Sequence, residues 1–208
     1  MRKTLVAVTG ALVLAPAAQA ATVGTDKPCY RSGETIRVGG SGFTPGATYT
    51  ANVNGQQLPN GTGTVSPAGG FSGSFGAPSL QTPVERSFTF GASDGTNSAL
   101  ATYKVTPFGV VFSPNSGDPR KLRVTYRGFG FGPNKRVYLH YVKGGKLKTT
   151  VSLAVTQGDC GSLSVKKRLF PFRASRGTWT FQYDTSKKYS RSTPDAFRDS
   201  VLVRRIFR

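Results

Sequence analysis

Ile36-Arg37-Val38-Gly39-Gly40-Ser41-Gly42-Phe43-Thr44-Pro45-Gly46 is a short alternating apolar run that closes on Gly-Phe and a Pro-Gly turn. The design returns 88 residues later, where Val124 and Tyr126 lead into Gly130-Phe131-Gly132-Pro133. Past the turn, Tyr49, Ala51 and Val53 correspond to Val137, Leu139 and Tyr141. Further on, Phe88-Thr89-Phe90 meets Trp179-Thr180-Phe181 at an offset of 91, so the second copy carries about three extra residues in between. Apolar residues at every second position mark strands with one buried face. A repeat of this length is one small β domain rather than a solenoid unit. The chain therefore reads as two related β modules.

Strand signals are frequent and amphipathic helical windows absent. Thr35–Val38, Ala47–Val53, Gly70–Phe75, Ser87–Ala92 and Ala99–Val105 read as strands of the first module. The second module gives Gly109–Phe112, Lys121–Tyr126, Arg136–Val142, Lys146–Val155, Leu163–Phe170, Thr178–Tyr183 and Ser200–Val203. Pro45-Gly46, Asn54-Gly55, Asn60-Gly61, Asp94-Gly95 and Gly144-Gly145 supply turn chemistry between them. With 26 glycines and 13 prolines to interrupt helices, the expected fold is all-β: two tandem immunoglobulin-like β-sandwiches.

Arg31-Ser32-Gly33-Glu34, the run from Val38 to Pro45-Gly46, and Ala68-Gly69-Gly70-Phe71 resemble bacterial immunoglobulin-like domains of exported and surface proteins, of the kind found in tandem in high-GC Gram-positive lineages. The resemblance covers residues ~22–105 and extends to ~108–206 through the repeat, where Asn134 stands in place of Gly46. It implies adhesive, spacer or polysaccharide-binding roles and transfers no catalytic residue.

At the N-terminus, Arg2 and Lys3 precede an apolar run from Leu5 to Leu14, and Ala18-Gln19-Ala20 offers a cleavage site. This is the layout of a secretory signal peptide over residues 1–20. The run is shorter than the ~20 residues that span a bilayer, and no later segment is long and apolar enough, so no integral membrane segment is expected in the mature chain. The expectation is a secreted, extracellular protein that associates with the cell wall, with modules at 21–106 and 107–208.

Charge separates the modules. Segment 21–106 carries five basic and four acidic residues, net +1, whereas 107–208 carries 21 basic and five acidic residues, net +16. Alternation along the strands directs Lys121, Arg123 and Arg127 outward opposite Leu122, Val124 and Tyr126. It likewise directs Lys146 and Lys148 outward opposite Leu147, Val151 and Leu153, and Lys166 and Arg168 outward opposite Leu163, Val165 and Leu169. Lys167 breaks the pattern. Lys187 and Lys188 add loop charge, with Arg173, Arg176 and Arg191, and Arg204, Arg205 and Arg208 add a basic tail. The matching outward positions of the first module, Thr48, Thr50, Asn52, Ser87 and Thr89, are neutral. Such a lopsided field attracts polyanions. The polyanion site is therefore placed on Lys121, Arg123, Arg127, Lys146, Lys148, Lys166, Arg168, Lys187 and Lys188, with an anionic wall polymer or acidic polysaccharide as partner. A structural or protein-binding spacer is the alternative, and a solvated surface that only maintains solubility is the plain one.

Other chemistries find little support. The two cysteines, Cys29 and Cys160, occupy non-equivalent places in the repeat and cannot bridge within their own modules. In an oxidising compartment the simplest outcome is a Cys29–Cys160 staple; free thiols or an intermolecular link remain open. His140, the single histidine, aligns with Asn52 at an outward position and reads as a surface spectator. There is neither a Gly-x-Ser-x-Gly elbow nor a His-Glu-x-x-His motif. Asp118, Asp184, Asp195 and Asp199 read as turn and salt-bridge residues. Gly128-Phe129-Gly130-Phe131-Gly132 joins strand to strand and so is not a phosphate loop. Sequence-specific nucleic-acid binding would need a groove reader or stacking aromatics, and only Tyr138, Tyr189 and Phe197 are candidates to face solvent. No enzyme activity, cofactor or metal is expected.

Overall fold

The computed structural model of the protein describes residues 20–204. The signal peptide expected over residues 1–20 lies, apart from Ala20, outside the described residues, as do Arg205 and Arg208 of the tail. Among the described residues there are fifteen strands and no helix.

The first sandwich is built from β1 (Thr22–Thr25), β2 (Cys29–Arg31), β3 (Thr35–Ser41), β4 (Thr48–Val53), β5 (Gln56–Thr64), β6 (Phe71–Gly76), β7 (Arg86–Ser93) and β8 (Ser98–Thr106). One sheet has the order β1-β3-β6 and the other β2-β8-β7-β4-β5. The second sandwich uses β9 (Gly109–Ser113), β10 (Arg123–Phe129), β11 (Arg136–Lys143), β12 (Lys146–Val155), β13 (Leu163–Arg168), β14 (Gly177–Asp184) and β15 (Phe197–Val203). Its sheets run β13-β10-β9 and β12-β11-β14-β15. In immunoglobulin lettering, strands A, B and E form one sheet and C, F and G the other, with the strand that follows C in sequence added beside it. Both copies follow this plan. In the first, β2 also pairs in parallel with the last strand, β8.

The alternating residues do what their spacing requires. Ile36, Val38, Phe43, Phe90, Tyr103 and Val105 fill the first core, and Val124, Tyr126, Leu139, Tyr141, Phe181 and Tyr183 fill the second. Phe43 and Phe131 plug equivalent corners between their B and C strands, and their amides bond the carbonyls of Gly69 and Gly161. The Pro45-Gly46 turn needs a left-handed residue at its third position, and Gly46 has φ 76°. Asn134 keeps that conformation at φ 55°, which Asn tolerates better than other side chains, so the turn survives the exchange.

Three sequence expectations change. β1, β2 and β5 carry no alternating apolar face and were invisible in the sequence pattern. Asn60-Gly61 lies inside β5, at the irregularity where Thr50 and Asn52 pair with Thr62 and Gln57, rather than at a turn. Leu147 points outward: Tyr141 pairs with Thr149 but Val142 pairs with Leu147, so Lys148 is an extra residue that inverts the alternation. Leu147 is 43% exposed as a result.

Candidate functional site

The nine cations named above are all exposed. Among the described residues none lies within 4.0 Å of a carboxylate, since the ion pairs all involve other side chains. They do not form one array. Arg123 and Arg127 on β10, with Lys166 and Arg168 on β13, share the outer face of the A-B-E sheet, and Lys121 sits at its lip. Arg123 is the direct cross-strand partner of Arg168, and Thr125 of Lys166. Lys146 and Lys148 belong to the opposite sheet, on its edge strand beyond the Gly144-Gly145 hairpin, and their exposure follows from the β12 bulge rather than from simple alternation. Lys187 and Lys188 lie on the loop that covers the outer face of that opposite sheet. The expectation of a single sheet-borne array therefore gives way to a cationic A-B-E face with two outlying pairs.

The face is most charged at the end remote from the first sandwich. β10 runs from Arg123 toward Gly130, which meets the first sandwich, and β13 runs away from Cys160, which is linked to it. Arg123 and Arg168 thus sit at the distal pole, with the loop Leu169–Arg173 and the turn at Asp118–Leu122. Buried contacts fix both loops. The Leu169 amide donates to the Leu122 carbonyl at 2.8 Å, while the Leu169 carbonyl accepts from Tyr141 at 3.0 Å and Tyr126 at 3.4 Å. Burial pushes the Tyr126 phenol up to about 12 and that of Tyr141 higher still. Asp118 bonds the backbone amide of Arg120 and pairs with its guanidinium, contacts that hold the carboxyl below its usual range.

His140 is not a surface residue. Its ring is 0% exposed, although it points away from the core, because the segment after β14 folds across the sheet. Nε2 lies 3.2 Å from Asp184 Oδ1 and 3.1 Å from the Ser186 carbonyl, and Nδ1 lies 2.8 Å from Thr150 Oγ1. Two acceptors at Nε2 require a proton there, and in the neutral ring Nδ1 then accepts from the Thr150 hydroxyl. Gln182 donates to Asp184 and to the Ser190 carbonyl, and accepts from Arg198. Tyr189 packs on the imidazole with ring centres 5.6 Å apart. Hydroxyl, imidazole and carboxylate are aligned as in a nucleophilic relay, but the ring is sealed, and what it does here is latch the loop. Phe197, expected near solvent, packs instead between Phe108 and Tyr183. Tyr138 and Tyr189 are half-buried.

The sandwiches meet at the staple expected between Cys29 and Cys160, and beside it lies a contact that sequence reasoning missed. Cys29 and Cys160 form a disulfide with Cα atoms 5.2 Å apart. Beside it, Arg31 donates to the Gly130 carbonyl at 2.7 Å, pairs with Asp195 at 2.8 Å and lies over Phe108. A cleft of about 700 Å³ remains there, edged by Lys27, Arg31, Glu34, Asp159 and Asp195. The glycine-rich bend is thus a docking point, because its Gly130 carbonyl accepts from Arg31 of the first sandwich.

No protein-family model matches the chain, and no curated protein matches it in sequence. Solved structures of similar build include the tetra-tandem repeat in the extending region of a large adhesion protein, at 17% identity and a TM-score of 0.29 over 87% of this chain and 47% of that one. The chain thus spans about half the length of that relative. The D0-D1 domain of intimin aligns at 12% identity and a TM-score of 0.33, over 89% of this chain and 97% of its own. The human OSCAR ligand-binding domain aligns at 12% identity and a TM-score of 0.32, over 89% and 98%. At such scores these likenesses carry no argument about function.

Proposed function

We propose that the protein is an exported, non-enzymatic binding module whose second sandwich captures anionic polymers of the cell envelope. The observation that carries this reading is the cationic A-B-E face: Arg123, Arg127, Lys166 and Arg168 project from paired strands with no carboxylate within ion-pair distance among the described residues. Adjacent strands lie ~4.8 Å apart and alternate residues ~6.8 Å apart, a spacing suited to charges repeated along a polymer. Keeping like charges directly opposite costs stability, and a ligand that neutralises them repays it. The Cys29–Cys160 bridge fits an oxidising, extracytoplasmic setting. With Cys160 in that bridge and His140 sealed, neither residue offers a nucleophile or base to a substrate.

Retention on heparin or on a teichoate column tests the reading. Elution above physiological salt supports it, and elution below rejects it. The rival, a protein-binding spacer, is favoured by the β6 edge of the first sandwich, where Phe71–Gly76 carries neither charge nor proline to deter strand addition. Wild-type retention unaltered by replacing Arg123, Arg127, Lys166 and Arg168 with Gln would take the face out of the mechanism.

A further inference from the structure

The distal pole holds more than a flat charged face. Two crevices open side by side there, and Arg168 lines both. The first, about 290 Å³, is bordered by Arg123, Lys166, Lys167 and Arg168, with Tyr141 and Val151 contributing apolar wall. The second, about 420 Å³, is bordered by Arg120, Arg168 and Arg173, with Phe170, Pro171 and Phe172 beside them. Six cations thus converge on two adjoining hollows, and Asp118, paired with Arg120, is the carboxylate nearest them in sequence.

Three details make this a built site. Lys167 has the inward parity of Leu163 and Val165 and is the Cα partner of the core residue Val124. It stands on an edge strand at the open flank of the sandwich, and it lines the first crevice. An inward lysine also discourages edge pairing, but that role needs neither Arg120 nor Arg173. The loop bearing Arg173 is held at Leu169 by a backbone bond and two buried tyrosine hydroxyls, and Phe170 is fully buried. Guanidinium forks on a fixed loop are pre-organised for oxyanions. Finally, Pro171 borders both hollows, giving an apolar ridge between two cationic pits.

Resting on the polyanion reading above, we propose that this pole is its anchoring subsite, and that it takes two successive sulfate or phosphate esters of a polysaccharide. One ester sits in each crevice, Arg168 bridges them, and the sugar ring lies against Pro171. Tetrahedral oxyanions suit guanidinium forks from four arginines, whereas the rest of the face supplies only diffuse attraction.

The oxidised full-length protein is titrated by calorimetry with three hexasaccharides: one sulfated, one carrying phosphate monoesters, and one oligogalacturonate bearing carboxylates alone. The sulfated or the phosphorylated probe is expected to bind at least tenfold more tightly than the oligogalacturonate, and which of the two wins identifies the ester. Arg168→Gln is expected to weaken that binding about tenfold or more and Arg168→Lys to give an intermediate loss, while the double variant Lys187→Gln/Lys188→Gln changes it less than threefold. Equal losses for Arg168→Gln and the Lys187/Lys188 pair would overturn the subsite and leave diffuse polyanion capture standing. Equal affinity for all three probes would overturn the ester assignment. Failure of the wild-type protein to bind any of them would overturn the polyanion reading itself.

Discussion

The guanidinium of Arg31 lies 4.1 Å from the centre of the Phe108 ring, joining the second strand of one sandwich to the first residues of the next. The same side chain reaches Gly130 and Asp195, so three contacts with the second sandwich meet on one residue of the first. Arg31→Ala is expected to cost about 1–2 kcal/mol, and a double-mutant cycle with Phe108→Leu should return a coupling of about 0.5–1 kcal/mol. A coupling indistinguishable from zero in denaturant titrations would mean the stacked geometry contributes nothing.

The disulfide works on the same junction by a different route. Its partners are 131 residues apart, and a closed loop of that length removes enough chain entropy to stabilise joint unfolding by about 5 kcal/mol. Calorimetry of the Cys29→Ser/Cys160→Ser variant should show one cooperative transition breaking into two at lower temperature. An unchanged single transition would show that the non-covalent contacts alone couple the sandwiches.

His140 gives a prediction in the second sandwich. Its removal leaves Asp184, Thr150 and the Ser186 carbonyl short of partners under a closed loop. His140→Ala should cost about 2–3 kcal/mol, and amide exchange should quicken across residues 185–193 before it does in β11 or β14. Uniform quickening would argue against a local latch.

Which of these contacts could be read in advance follows from what makes a pattern. Ile36, Val38, Val124 and Tyr126 announce their strands because one face is buried and the other is wet, and that contrast has period two. β5 offers only Leu58 among polar residues, and β1 and β2 are too short to alternate, so nothing distinguishes them from loop. Leu147 was misdirected because one bulged residue reverses parity without leaving a signature in composition. His140 was rightly turned from the core, yet no periodicity reveals that residues 185–193 return to cover it. Arg31 belongs to a stretch whose resemblance pointed to the fold, while the three contacts that give it a role come from 77 to 164 positions downstream in the chain. The pole shows the same limit: the outward direction of Arg123, Lys166 and Arg168 followed from alternation, but the convergence of Arg120 and Arg173 on Arg168 depends on loop paths.

Acid should act on the first sandwich through Asp94. Its carboxylate accepts from the amides of Asn97, Thr44 and Thr96, and these bonds hold its pKa far below the ordinary value of 3.8. A carboxyl with a depressed folded-state pKa stabilises above its unfolded value, and that contribution drains away as pH falls below about 4. Asp94→Asn should therefore be less stable than wild type at pH 7, with the gap closing as the pH is lowered toward 2. A gap that stays constant across that range would show that the ionised form is not what the turn requires.

The tyrosines of the second core allow a sharper contrast. Tyr126 and Tyr141 both donate to the Leu169 carbonyl, whereas the Tyr183 hydroxyl is buried with no partner, and burial holds its pKa well above 10. Removing a hydroxyl that is bonded loses the bond; removing one that is desolvated and idle relieves a penalty. Tyr141→Phe should thus cost about 1 kcal/mol and loosen the Leu169–Arg173 loop, while Tyr183→Phe should be neutral or raise stability by up to about 1 kcal/mol. The two variants remove the same atom from rings of one core, so the contrast weighs a bonded hydroxyl against an unbonded one. A loss at Tyr183→Phe as large as that at Tyr141→Phe would reveal an enclosed hydrogen-bond partner beside strand β14.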